Sequence, residues 1–280
     1  MSLIDFVLNL VGLLLWLNWR SIRFDPLLKT SPATLSGTLR SAEPRRMNRW
    51  HFLLALAALL FFRALLYWEL GSALNWTPTL PVGAAVLFFG GDFFGPRLLF
   101  SGLSFAFTLI VFYLWLLFVS LVNNRVAEAD PLLKLVRLHL GRIDRWPWLL
   151  KLLLPFLSAA LLWLAFNPLL VQWRIIPPAS STAHCLEQAG AIGLGVYLSW
   201  RFLIGGLLAL YLLSSYIFLG RHPFWSFIAV TGRNSLRPLR WLPLRVGKVD
   251  FAPVVAIALT FLAAAAAEQG LTALYQRLPL

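Results

Sequence analysis

Four aspartates stand near prolines at two recurring spacings. Asp25 and Asp130 each directly precede a proline, in NWRSIRFDPLLK (Asn18–Lys29) and NNRVAEADPLLK (Asn123–Lys134). Asp144 and Asp250 each stand three residues before a proline, in GRIDRWP (Gly141–Pro147) and GKVDFAP (Gly247–Pro253). Cations crowd around them: Arg20, Arg125, Lys134, Arg137, Arg233, Arg237 and Arg240. Carboxylates in this setting can cap the free N–H groups at a helix start, pair with a cation from another repeat, or hold a metal ion. The capping and pairing readings take Asp25, Asp130, Asp144, Asp250, Arg20 and Arg125. One specific pairing joins Arg125 or Arg137 to Asp250.

Other chemistry lacks an anchor. The chain has one cysteine, Cys185, and no CxxC or CxxCH string, which leaves structural zinc and haem attachment unsupported. No HExxH, GxSxG or phosphate-binding loop occurs. The histidines His51, His139, His184 and His222 all avoid the middle of an apolar run, against a transmembrane bis-histidine haem. The sequence therefore predicts no catalytic residue, no cofactor and no resident metal.

The elements that position these residues are apolar helices. Of 280 residues, 60% are hydrophobic and 12% charged, against roughly a quarter charged in soluble domains. Six segments approach the ~20 apolar residues needed to cross a bilayer: residues 3–19, 50–68, 98–122, 147–171, 198–220 and 251–267. The N-terminal run lacks a basic start and a small-residue cleavage site, so it reads as a retained helix. TLPVGAAVLFFGGDFFGP (Thr79–Pro96) is short and broken by glycine, and reads as a re-entrant or interfacial piece.

The net charge of +13 sits between alternate spans. Residues 20–49, 123–146 and 221–250 carry most of the arginines and lysines, whereas the other connections are nearly bare. The positive-inside rule puts the three basic loops in the cytoplasm and both termini outside, in the inner (plasma) membrane. This clustering argues against nucleic acid as the partner. It points instead to the bilayer, to anionic lipid headgroups, and to other membrane proteins or a second copy of the chain.

The expected fold is all-α: a polytopic bundle of about six spans in three degenerate helical-hairpin repeats with short interfacial amphipathic helices. Residues 1–70 form the first repeat, 71–97 a connector, 98–171 the second, 172–197 an external loop and 198–280 the third. Wound at about 100° per residue, Arg233–Leu242 sets Arg233, Arg237 and Arg240 opposite Leu236, Leu239 and Leu242. Lys134 and Arg137 likewise oppose Leu132, Leu135 and Val136. Both segments read as helices lying in the headgroup layer, with bases worth about 1 kcal/mol each against anionic lipid. The same bases also serve as topology determinants. Arg63 and Arg201, near the outer ends of spans, are expected to snorkel to the interface; the competing reading has them line an anion or substrate path, with Glu69 as partner to Arg63.

At these residues the chain resembles the YggT family of small bacterial membrane proteins, which includes the YlmG relatives. LRPLRWLP (Leu236–Pro243) is similar to the family's L-R-P-I-R-R-hydrophobic-P segment, and VDFAPVVAIALTFL (Val249–Leu262) to its I-D-x-S-P opening. The matching positions are Arg237, Pro238, Arg240, Pro243, Asp250 and Pro253, with Asp130, Pro131, Arg137 and Asp144 in the second repeat. Trp241 stands in place of the family's second arginine, Ala252 in place of its serine, and three repeats in place of two. The resemblance implies a role in osmotic or envelope stress, potassium homeostasis or membrane-complex assembly, without catalytic chemistry. A non-enzymatic scaffold and a transporter or channel component both remain open.

Overall fold

The computed structural model describes residues 2–21, 49–73, 77–82, 85–90, 94–124, 131–179, 181–217, 220, 222–239, 241, 244–246 and 249–277. The helices are α1 (Ser2–Ser21), α2 (Arg49–Ala73), α3 (Phe94–Val122), α4 (Pro131–Leu140), α5 (Trp148–Gln172), α6 (Thr182–Gly195), α7 (Trp200–Tyr216), α8 (Pro223–Ser235) and α9 (Ala252–Arg277). Two small antiparallel hairpins complete the described elements: β1 (Thr79–Val82) with β2 (Ala85–Phe88), and β3 (Arg245–Val246) with β4 (Val249–Asp250). The fold is all-α.

Six stretches are long and apolar enough to cross a membrane: Leu3–Arg20, Arg49–Glu69, Phe94–Val122, Trp148–Gln172, Thr182–Tyr216 and Ala252–Leu274. Their exposed side chains are strongly apolar, among them Leu3, Phe6, Phe61, Phe62, Leu149, Leu153, Leu161, Phe202 and Leu262. Water would not tolerate so continuous an apolar surface, whereas hydrocarbon does. The chain is a multi-pass membrane protein.

The chain divides into two compact units, Met1–Pro78 with Phe89–Leu109, and Thr79–Phe88 with Ile110–Leu280. In the first, α1 packs along α2. Gly12 lets α3 approach α1 closely, because a Cβ there would lie 2.8 Å from the Phe105 ring. Ser101 Oγ donates to the Leu60 carbonyl at 2.8 Å, tying α3 to α2. In the second unit, Leu117 and Val119 of α3 meet Leu133, Val136 and Leu140 of α4. Phe118, Leu207 and Ile228 join α3, α7 and α8, while Leu208, Leu236 and Ala256 join α7 to α9. Trp115 and Trp200 exchange indole N–H bonds with the backbone of the partner segment, to Ser199 O and Leu114 O, each at 3.3 Å. With no hydrophobic drive between helices in lipid, such packing and polar ties carry association.

Local structure refines the expectation. Residues 79–88, within the expected re-entrant or interfacial piece, form a β-hairpin, with Thr79 opposite Phe88 and Leu80 opposite Leu87. A two-stranded ladder satisfies the backbone where glycine and proline make a helix costly. Residues 172–197 are not simply a loop, since α6 begins at Thr182. Ser181 Oγ caps it by accepting from His184 N at 3.1 Å. A one-turn 3₁₀ segment, Val196–Ser199, then leads into α7. The helix expected over Arg233–Leu242 ends at Ser235, and Arg237–Leu239 is a single 3₁₀ turn. Pro238 disfavours the α conformation at Arg237 and offers no N–H. The amphipathic helix of this repeat is instead α8, opened by a His222 cap and Pro223 at its first turn. In α4 the face packed against the protein is Leu133, Val136, His139 and Leu140, and Leu135 is exposed.

Candidate functional site

The second repeat turns sharply between α4 and α5. Gly141 has φ 59°, a conformation that ends α4 at little cost only for glycine. A 3₁₀ turn, Gly141–Arg145, follows, and Pro147 occupies the N-cap position of α5 in an extended conformation, with no side-chain cap. Asp144 therefore does not cap. Its Oδ1 accepts from Ser120 Oγ of α3 at 2.5 Å and lies 3.6 Å from Lys151 Nζ of α5. Lys151 Nζ donates to Ser120 Oγ at 3.0 Å, and Arg137 Nε of α4 lies 3.6 Å from Asp144 Oδ2. One carboxylate thus joins three helices and neutralises a lysine that is only 1% exposed. The outer side of the same elbow shows the opposite character. Lys134, Arg142, Arg145, Trp146 and Trp148 are all exposed there.

The third repeat uses the equivalent aspartate differently. Asp250 Oδ1 accepts from Ala252 N at 2.9 Å, at the first residue of α9. Aligning GRIDRWPWLLK with GKVDFAPVVAI puts Ile257 where Lys151 stands. Among the described residues this carboxylate accepts from the backbone and meets no buried ammonium. Arg137 pairs with Asp144; Arg125, the other expected partner of Asp250, lies outside the described residues.

Asn123, from the repeated N-x-R string, is a hub that the sequence marks without explaining. Its Nδ2 donates to Val119 O at 3.1 Å and to Thr231 Oγ1 of α8 at 3.0 Å, and its Oδ1 accepts from Asn234 Nδ2 at 2.9 Å. Both Asn123 and Thr231 are buried. The end of α3 is thereby locked to α8.

Arg63 does not snorkel. It is 1% exposed, inside the first unit. Its Nε donates to Tyr67 OH at 2.8 Å, Nη1 to Asn9 Oδ1 at 2.6 Å, and Nη2 to Ser104 Oγ at 2.9 Å. Nη2 also pairs with Asp5 Oδ1 at 3.2 Å, and the Tyr67 hydroxyl donates to the same Asp5 oxygen. The guanidinium carbon lies 5.3 Å from the Tyr67 ring centroid and 5.6 Å from that of Phe100. The ion-pair partner is Asp5, on the first span, and not the expected Glu69. Arg201 is partly exposed, and its Nη1 meets Glu268 Oε2 of α9 at 2.5 Å.

Of the remaining expected residues, Arg233 and Arg237 are exposed at and just beyond the end of α8, and Arg20 closes α1. Asp25, Arg125, Asp130 and Arg240 lie outside the described residues. Among the described residues, no three His, Cys, Asp or Glu side chains come together as a metal-binding group. Comparison with protein-family models, with curated proteins and with solved structures finds no match.

Proposed function

We propose that this chain is a non-enzymatic scaffold or assembly factor of YggT type in the inner (plasma) membrane. Its basic elbows dock anionic headgroups and hold partner membrane proteins during envelope stress or complex assembly. The observation that carries this reading is the two-sided elbow at Asp144. Its inward bases, Arg137 and Lys151, share the single Asp144 carboxylate. Its outward bases, Lys134, Arg142 and Arg145, are exposed beside Trp146 and Trp148. Tryptophan with arginine is the composition of a headgroup-level anchor. The exposed Arg233 and Arg237 of the third repeat add to the same basic surface. The experiment is affinity capture of the tagged full-length protein from crosslinked membranes, with the Arg142→Gln/Arg145→Gln variant alongside. Membrane-protein partners and anionic lipid retained by the wild type and lost by the variant support the reading. Equal recovery from both contradicts it.

A second reading, as a transporter or channel component in potassium homeostasis, draws on the buried Arg63–Asp5 pair. Ionisable groups inside spans often mark ion paths. Potassium flux in proteoliposomes above that of empty vesicles, lost in Arg63→Met, favours this reading; flux equal to empty vesicles removes it.

A further inference from the structure

Helices α5 and α6 run antiparallel, in a register fixed at two points. The Tyr197 hydroxyl donates to the Leu152 carbonyl. Phe156 packs on Gly193, where a Cβ would lie 2.9 Å from the Phe156 carbonyl oxygen. Continued along both helices, this register brings His184 level with the turn of α5 between Trp163 and Asn167. All three side chains are at least nine-tenths buried. Each carries a nitrogen without a hydrogen-bond partner: Trp163 Nε1, Asn167 Nδ2 and His184 Nδ1.

The tautomer of His184 decides what these nitrogens want. Its Nε2 lies 2.7 Å from the Gln188 amide nitrogen. An amide nitrogen only donates, so that ring nitrogen accepts and the ring hydrogen belongs on Nδ1. All three unpartnered nitrogens are then donors. Each buried donor left unmade costs roughly 1–3 kcal/mol, and three of them on facing turns call for a shared acceptor. The site lies at the first turn of α6, the positive end of its dipole. No carboxylate is among the buried residues of α5 or α6, and Glu187 is exposed.

We propose that α5 and α6 enclose a site for a small anion of the halide type, bound by Trp163 Nε1, Asn167 Nδ2 and His184 Nδ1. Gln188 is a positioning residue that fixes the tautomer. An anion takes three donors with no hydrogen of its own to accommodate, whereas a water molecule brings two. Three N–H groups suffice for one halide atom, whereas the four oxygens of a tetrahedral anion would call for further donors. This inference is independent of the scaffold reading.

The test compares thermal unfolding of the full-length protein in sodium chloride and in sodium gluconate at equal ionic strength, with sodium phosphate as a third arm. Chloride is expected to raise the midpoint by about 2–4 °C over gluconate, phosphate to give only the general salt gain that the variants share, and Trp163→Phe or Asn167→Leu to abolish the chloride effect. A wild-type midpoint equal in chloride and gluconate, a phosphate gain that the variants lose, or an undiminished chloride gain in the variants would overturn the proposal. So would variants that are more stable in every salt, because removing an unpaired donor from an empty site relieves it. Should the variants fail to fold, the wild type with bromide decides. An anomalous peak within hydrogen-bonding range of Trp163 Nε1 and His184 Nδ1 supports the site, and its absence overturns it.

Discussion

Lys151 and Asp144 lie seven residues apart across the return into the membrane, with Nζ 3.6 Å from Oδ1 and both bonded to Ser120. The lysine is buried, so its charge has no solvent to fall back on. Breaking such a pair from one side is expected to cost about 3–5 kcal/mol, because an uncompensated charge remains. Asp144→Asn should therefore lower the unfolding midpoint in detergent sharply. The double variant Asp144→Asn/Lys151→Met should recover most of the loss. A single variant as stable as the wild type would show that the pair contributes little.

The Asp5–Arg63 pair follows the same logic in the first unit. Asp5→Leu leaves Arg63 bonded to Asn9, Tyr67 and Ser104 but without a counter-charge. A loss of about 3–5 kcal/mol is expected. It should appear as release of α1, read by protease access near the N-terminus. Asp5→Leu/Arg63→Met should bind α1 more firmly than Asp5→Leu alone.

Asp250 should behave unlike Asp144, despite their matching sequence positions. It accepts one backbone N–H, from Ala252. Asparagine keeps an acceptor oxygen there, so Asp250→Asn should be nearly silent, whereas Asp250→Ala should cost about 1 kcal/mol. A large loss in Asp250→Asn, measured by thermal unfolding, would restore an ion-pairing role for this residue.

Gly232 sets the distance between α8 and α7. A Cβ there would lie 2.6 Å from Tyr211. Gly232→Ala should cost about 1–3 kcal/mol through overpacking, and Gly206→Ala, where nothing lies within 4 Å, should cost far less. Similar midpoints for the two variants would contradict the close packing.

The spans were legible because they rest on apolar length, a local property. Four of the six begin and end within a few residues of the expected limits; the fifth in order extends back to Thr182, and the last runs on to Leu274. What escaped depends on distant partners. Arg63 is near Tyr67 and Trp68 in sequence, which suggests an interfacial side chain; besides Tyr67 its partners are Asp5, Asn9 and Ser104, up to 58 positions away. The displaced amphipathic helix was closer to legible. His222-Pro223 is a start signal and Pro238 a stop signal, but the arginine periodicity over Arg233–Leu242 masked both. The different uses of Asp144 and Asp250 go with Lys151 standing where the other repeat has Ile257, a difference that becomes meaningful only once the burial of Lys151 is known.

The central proposal is that the basic elbows of this multi-pass protein face the cytoplasm and meet the inner leaflet. A single cysteine at exposed Arg237, in a Cys185→Ala background, tests it in intact cells with a membrane-impermeant maleimide. The account predicts no labelling until the membrane is permeabilised, then full labelling. Labelling of intact cells would contradict the orientation, and with it the scaffold reading built on that surface.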